Sequence, residues 1–185
     1  MITLEPCTHK GSTPACVDAI IKSGINEVIF AIHDPFSKVK NNPAEKILIQ
    51  HNIKVKYGLY SDQAKEMNNE YFFAHEKKRP FIHLKAAMSL DGKIALESGE
   101  SKYITSEDSL KKVHELRREV DAILIGINTL FNDDPLLSVR FNLLQEGYIV
   151  PKRIVLDPEA QFPENCRLLS QLDSEILVVT SEVGK

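Results

Sequence analysis

The stretch 81–140 places the tightest limits on what this chain can fold into. It opens with the apolar run Phe81-Ile82-His83-Leu84-Lys85-Ala86-Ala87-Met88 and passes into the polar, glycine-bearing segment Ser89-Leu90-Asp91-Gly92-Lys93. After a second polar segment, 98–106, come an amphipathic run, the apolar run Ala122-Ile123-Leu124-Ile125-Gly126, and Asn132-Asp133-Asp134-Pro135-Leu136-Leu137-Ser138-Val139-Arg140. Strand, loop, helix, strand, loop is the alternation of an α/β layer. Ligands of open α/β sheets sit at the loops that follow the carboxyl ends of strands, so both polar segments are candidate site loops on pattern alone. Residues 81–88 are too apolar for an edge strand and predict a buried one. A lysine there, Lys85, needs a partner or a ligand.

Thr105 or Ser106 caps a helix over 107–118. Leu110, Val113, His114 and Arg117 fall on one stripe of it. His114 reads as a core or boundary histidine, and Arg118 as a surface charge. Two more strands are predicted at 151–156 and 175–180.

The first eighty residues show the same alternation. A short strand at 2–4 leads into a loop, and Thr13 caps a helix with Pro14 at its first position and Gly24 at its stop. A strand at 27–32, a solvated loop at 38–42, a helix at 43–51 and an edge strand at 53–57 follow. Ser61 caps a helix that runs to about residue 76. The charged run Glu76-Lys77-Lys78-Arg79-Pro80 reads as a hinge, which sets one domain at 1–76, a linker at 77–80 and a second domain at 81–185.

Cys7 and Cys16 flank the start of the first helix, where free N–H groups and the helix dipole favour a thiolate. Their spacing leaves two readings: half of a tetrahedral zinc site, or two buried cysteines of a reduced core. Cys166 has no evident partner. Three cysteines in 185 residues argue against a disulfide scaffold, and a reduced, cytoplasmic protein is predicted. No apolar run approaches the ~18 residues of a membrane span, and no signal peptide opens the chain. A net charge of −3 without a long run of one sign argues against a nucleic-acid stripe. Any phosphate site must then be built locally.

Three blocks carry a family resemblance. Lys85-x-Ala87-x-Ser89-Leu90-Asp91-Gly92-Lys93, then Ser98-Gly99-Glu100-Ser101-x-x-Ile104-Thr105, then Asp133-Asp134-Pro135-x-Leu137-x-Val139-Arg140 resemble, in that order, the reductase half of the bifunctional riboflavin-biosynthesis deaminase/reductases. Leu4-Glu5-Pro6-Cys7, with eight residues before Cys16, is similar to the zinc-binding half of the same family. The resemblance implies a partial cytidine-deaminase-like α/β/α domain followed by a partial dihydrofolate-reductase-like α/β domain. It implies deamination of a phosphoribosylamino-pyrimidine, then NADPH-dependent reduction of its ribosyl group. The cofactors implied are Zn2+, its site incomplete here, and NADPH. The partner implied is a small phosphoribosyl-pyrimidine, with no nucleic acid and no membrane.

Carried over residue by residue, Cys7 and Cys16 match metal ligands, and His9 and Thr13 match substrate-phosphate positions. His9 reads equally well as a loop-capping residue. Lys85 matches the catalytic position facing nicotinamide and ribose. Ala87, Tyr103, Thr129 and Asp133 match cofactor positions, and Ser101, Arg117, Leu137 and Arg140 match substrate positions. Ser12 stands where relatives carry a lysine, and Pro158 where they often carry a cofactor-contacting serine. The family's His-Ala-Glu motif and its Glu-Gly-Gly loop are expected beyond the two ends of these 185 residues. Open sheet edges such as 176–179 then predict self-association. Two other classes remain: a nucleic-acid or nucleoside deaminase, which leaves 81–140 unexplained, and a non-catalytic remnant that only folds or binds nucleotide.

Overall fold

A strand covered on both faces buries nearly all its side chains, and the run Glu-Val-Ile-Phe-Ala-Ile has that composition. In the computed structural model, which describes residues 1–101, 103–141, 148–170 and 174–182, this strand (β2, Glu27–Ile32) is the middle of a three-stranded sheet. It pairs in parallel with β1 (Ile2–Leu4) through Ile2↔Phe30, and with β3 (Lys54–Tyr57) through Val28↔Val55. Parallel neighbours need crossover connections, supplied by helices α1 (Cys16–Lys22) and α3 (Ala44–Gln50). Val17 of α1, Val28 and Phe30 of β2, and Ala44 and Leu48 of α3 make the core. This unit spans Met1–Leu84, and a second spans Lys85–Lys185.

One buried carboxylate ties the loops of the first unit together. Glu5 is 3% exposed. One of its oxygens accepts from the Ala44 N–H (2.8 Å), the other from the Asp34 N–H (3.2 Å) and from His33 Nδ1 (2.9 Å). Asp34, also buried, accepts in turn from the Phe36 N–H and the Tyr71 hydroxyl. Burial and the Asp34 charge raise the Tyr71 pKa, so the phenol stays a donor.

Four local expectations for this unit are corrected. The first helix begins at Cys16 with Ala15 as its N-cap, not at Pro14 after Thr13. The reason is that Cys7 takes the capping role: its sulfur accepts the Cys16 N–H and its carbonyl the Val17 N–H, each at 3.2 Å. Residues 38–42 are not wholly a solvated loop, because α2 (Ser37–Lys40) drives Val39 to full burial. The helix expected over 61–76 is two, α4 (Ser61–Met67) and α5 (Asn69–Lys77). Asn68 breaks it by turning its side-chain amide onto the Ala64 carbonyl (2.8 Å), a local bond that competes with the helix ladder. Ser61 is the first helical residue, and the cap position is Tyr60 in a left-handed conformation.

In the second unit α6 (Glu107–Glu119) starts under the Ser106 hydroxyl, which accepts the Ser109 N–H. Strands β4 (Ala122–Gly126), β5 (Lys152–Leu156) and β6 (Ile176–Val179) form a parallel sheet in that order. Helix α7 (Ile127–Asp133) follows β4 directly. Leu130, Leu137, Val155 and Leu168 pack as its core. The chain leaves α7 through Asp134 at φ 38°, and the Asp134 carboxylate accepts the Arg167 N–H at 2.8 Å. That bond pins the 3-10 turn Arg167–Ser170 to the end of α7.

The buried strand expected at 81–88 is absent. Those residues have no regular structure, Leu84 is 95% exposed, and Lys85 is exposed with them. Apolar alternation supplies propensity, but a strand also needs a neighbour to pair with. The described sheet of this unit, β4-β5-β6, does not include the segment. Phe81 packs edge-on against Phe73 instead (5.2 Å). Lys85, being exposed rather than buried, is under no demand for a partner.

Replacing Glu5 by alanine should destabilise the first unit by about 3 kcal/mol, because two buried N–H groups lose their acceptor at ~1–3 kcal/mol each. Glu5→Gln, which keeps one acceptor oxygen, should cost less. Urea unfolding followed by circular dichroism measures both. A loss below about 0.5 kcal/mol for Glu5→Ala, the size of a surface substitution, would remove Glu5 from this role.

Candidate functional site

Helix α6 puts His114 and Arg117 one turn apart on a single face, as the i,i+3 spacing requires. The segment after α7 returns to that face. Leu137, 5% exposed and at φ 53°, plugs into the core and so fixes the residues that follow it. Ser138 then offers its carbonyl to Arg117 Nη1 at 3.0 Å, and the Arg140 N–H donates to His114 Nδ1 at 3.1 Å. Phe141 closes edge-on against the imidazole (5.1 Å).

The imidazole at the centre is 2% exposed. Burial, then the charges of Arg117 and Arg140, lower its pKa from 6.5 to about 4, against a smaller upward pull from the Ser138 backbone. It is therefore neutral at physiological pH. A neutral imidazole has one acceptor nitrogen. The shorter contact, from the Arg140 amide, assigns the lone pair to Nδ1 and the proton to Nε2. The Arg140 Nε atom lies 3.4 Å from that Nε2, so the guanidinium gains no acceptor from the ring.

Burial and the neighbouring Arg140 charge also lower the Arg117 pKa. Among the described residues neither arginine forms an ion pair with a carboxylate. Two guanidinium groups around a neutral ring, one of them half-buried, make a receptor for an anion with several acceptor oxygens. A nearby surface cleft of about 490 Å3 is lined by Glu107, Asp108, Lys111 and Phe141; its two carboxylates repel an anion and exclude it as the same site.

Thr129 and Asp133 lie one turn apart on α7. Asp134 is committed to Arg167, whereas the Thr129 hydroxyl and the Asp133 carboxylate make no hydrogen bond among the described residues. The two side chains are free to meet a ligand's hydroxyl and amide groups. Ala87 and Ser101 are half-buried, and Lys85 and Tyr103 are exposed. Among the described residues none of these four is linked by a side-chain hydrogen bond to Arg117, Arg140, Thr129 or Asp133. The structure thus brings together Arg117, Arg140 and Leu137, and separately Thr129 and Asp133. Leu137 spends its side chain on the core, which leaves only its backbone for a ligand.

In the first unit Cys7 and Cys16 are neighbours, as the sulfur-capped start of α1 requires. His9 packs edge-on against Phe36 (5.1 Å), its buried Nδ1 without a partner, and Thr13 is exposed. Among the described residues no group of three or more His, Cys, Asp or Glu side chains is placed to hold a metal. Zinc needs at least three protein ligands, so the two thiols do not fit it.

Sequence reasoning missed the role of His114. The available signal was its place three residues before Arg117 on the same stripe. The structural signal, an Arg140 amide pointed at the ring, has no counterpart in the pattern of α6.

Known proteins resemble this chain over most of its length. Residues 80–184 match the RibD C-terminal domain. The riboflavin biosynthesis protein RibD of Aquifex aeolicus is 44% identical over 98% of this chain and 50% of its own length. That of Actinobacillus pleuropneumoniae is 38% identical over 91% of this chain and 43% of its own. Among solved structures, the Thermotoga maritima diaminohydroxyphosphoribosylaminopyrimidine deaminase/5-amino-6-(5-phosphoribosylamino)uracil reductase superposes with a TM-score of 0.83 at 36% identity, over 98% of this chain and 50% of that one. Acinetobacter baumannii RibD does so with a TM-score of 0.87 at 33% identity, over 98% and 53%. The chain spans about half the length of the curated relatives it matches. Among the described residues no helix is long and apolar enough to cross a membrane.

The His114 geometry predicts a specific pH dependence. The folded pKa, about 4, lies below the ordinary 6.5. The stabilisation is therefore complete above pH 6.5 and drains away as pH falls toward 4, by about 2 kcal/mol at pH 5. Denaturant titrations between pH 7.5 and 5 should show that slope, and His114→Gln should flatten it. An unchanged slope in the variant would mean another group carries the effect.

Proposed function

The chain belongs to the RibD C-terminal domain family, and from that premise we propose that it carries the reductase step of riboflavin biosynthesis. In this reading the substrate is 5-amino-6-(5-phosphoribosylamino)uracil, whose ribosyl group is reduced to ribityl. The observation that supports it is the pair Arg117 and Arg140, held around a neutral imidazole without a carboxylate partner.

Arg117 and Arg140 take the substrate phosphate. A bidentate guanidinium matches phosphate oxygens in geometry as well as charge. His114 keeps Arg140 in place through its amide and, being neutral, adds no repulsion. Thr129 and Asp133, whose polar groups are uncommitted, fit the hydroxyls and amide of NADPH and would hold it by hydrogen bonds. NADPH supplies the hydride when bound. The chain's own work is to fix donor and acceptor carbons and exclude water. Lys85 is assigned to the reacting end of the ribose, Ala87 to the small wall that lets the ring approach, Tyr103 to a flat stacking surface, and Ser101 and the Leu137 backbone to the substrate.

The fold belonging to this reading is dihydrofolate-reductase-like for the second unit and cytidine-deaminase-like for the first. The deaminase reaction is not assigned to residues 1–185, because the described residues bring together two thiols where zinc needs at least three protein ligands. A reduced, cytoplasmic setting and self-association through sheet edges accompany the reading.

Arg117→Ala should weaken substrate binding by about 2–5 kcal/mol, the range for a truncated, desolvated charge pair, and leave NADPH affinity nearly unchanged. Thr129→Val and Asp133→Ala should do the reverse. Separate titrations of each ligand, with NADPH oxidation followed by absorbance, measure these effects. If Arg117→Ala weakens both ligands equally, or neither, the division of the site is wrong. If the unaltered chain binds neither ligand, the non-catalytic alternative stands.

A further inference from the structure

Three strand ends of the first unit meet at one imidazole, and we propose that this imidazole, His33, takes the acyl group of a neutral aromatic ester. Glu5 follows β1, His33 follows β2, and Tyr57 ends β3. The strands are parallel, so the three residues lie at the carboxyl edge of the sheet, where ligands of open α/β sheets sit. The ladder runs on past the strands: the Glu5 N–H donates to the Ile32 carbonyl at 2.9 Å, and the Gly58 N–H to the Ala31 carbonyl at 3.1 Å. The backbone that presents the three side chains is therefore held on both sides of β2.

Glu5 fixes the imidazole chemically as well as in space. Its side chain is 1% exposed, and that of His33 is 47% exposed. Each Glu5 oxygen already accepts a backbone N–H, one from Ala44 and the other from Asp34. The second oxygen also meets His33 Nδ1 at 2.9 Å. Nδ1 accordingly carries the proton, and the lone pair is left on Nε2. With Nδ1 turned to a buried partner, the ring edge that bears Nε2 is the one that faces solvent. Phe30 and Tyr57 hold the imidazole edge-on at 5.1 and 4.5 Å, and stack on each other at 5.5 Å. These neighbours choose the ligand. The exposed Tyr57 offers a flat leaving group an aromatic wall, and the Glu5 and Asp34 carboxyl groups behind the ring disfavour an anion.

The step needs only the ester, the ring and water. The Nε2 lone pair attacks the ester carbonyl carbon, the N–C bond forms, and the aryl oxygen leaves with the electrons of its broken C–O bond. The positive charge this puts on the ring is met at Nδ1–H by the Glu5 oxygen. Water then attacks the acyl carbon and the Nε2–C bond breaks, which restores the imidazole. One ester and one water become one carboxylic acid and one phenol. His33 is the group that touches the substrate, and Glu5 is a positioning residue.

This inference is independent of the reductase reading, and its test needs no cofactor. Nitrophenolate release from p-nitrophenyl acetate is followed at pH 8 for the unaltered chain, for His33→Gln and for a variant of the exposed His51, His51→Gln. His33→Gln should slow steady release about 10- to 100-fold, the range for a carboxylate-oriented imidazole. His51→Gln should leave the rate unchanged. The difference between the chains separates His33 from thiols and lysines that also take acetyl groups. Lys22 and Lys38 bracket His33, so trypsin releases it in the peptide 23–38, which holds no other histidine. Limiting diethyl pyrocarbonate, whose carbonyl Nε2 attacks with loss of ethanol and carbon dioxide, should label that peptide ahead of the other histidine peptides. In nitrogen-15 spectra His33 should carry its proton on Nδ1, a signature that packing alone does not require. A loss below about twofold in His33→Gln, a first label on another histidine, or the proton on Nε2 would each overturn the inference.

Discussion

A neutral imidazole enclosed between two guanidinium groups governs the layout of the second unit. Were His114 charged, three cations would share one desolvated spot, and repulsion on that scale would open the α6 contact. Its pKa near 4 removes the problem at physiological pH. The unprotonated Nδ1 then becomes the acceptor that orders the Arg140 backbone. The consequences of that one bond are geometric. Arg140 is held on the α6 face beside Arg117, while the Asp134–Arg167 bond and the buried Leu137 anchor the first half of the returning segment. The two guanidinium charges are thus supplied by the helix and the loop together, on a framework of apolar packing.

The first unit solves the opposite problem with the same chemistry. Glu5 is an enclosed carboxyl group, and three donors converge on its two oxygens. Its partners come from two places apart in sequence: His33 and Asp34 in the turn after β2, and Ala44 at the start of α3. Removing the carboxylate would strand them together. Nearby, the Cys7 sulfur and the Cys7 carbonyl both accept from the first turn of α1.

The parts of this architecture legible in the sequence were those written in local chemistry. Ser106 before an amphipathic run specifies the start of α6, and the apolar runs at β2 and β4 give strands within a residue of where they lie. Arg140 was singled out from a family block and Arg117 from the family's position on α6, and their proximity to one another came from the fold. The failures share a cause. Each depended on a partner distant in the chain: Cys7 displaced Thr13 as the cap of α1, and residues 81–88 carried strand composition without a strand beside them. Asn68 failed differently, because its side chain chose the Ala64 carbonyl over the helix. His114 stayed hidden since its role is defined by an amide 26 residues away.

The most direct test of the central claim is a nuclear magnetic resonance titration of the chain with ribose 5-phosphate, following the Arg140 amide and the His114 ring together. A phosphate seated between Arg117 and Arg140 cancels the charges that suppress protonation of the ring. Both resonances should therefore shift along one saturable curve, and the pKa of His114 should rise from about 4 toward the ordinary 6.5 in the bound state. If the ligand binds while the His114 pKa stays where it is, the anion lies elsewhere and the arginine pair is structural.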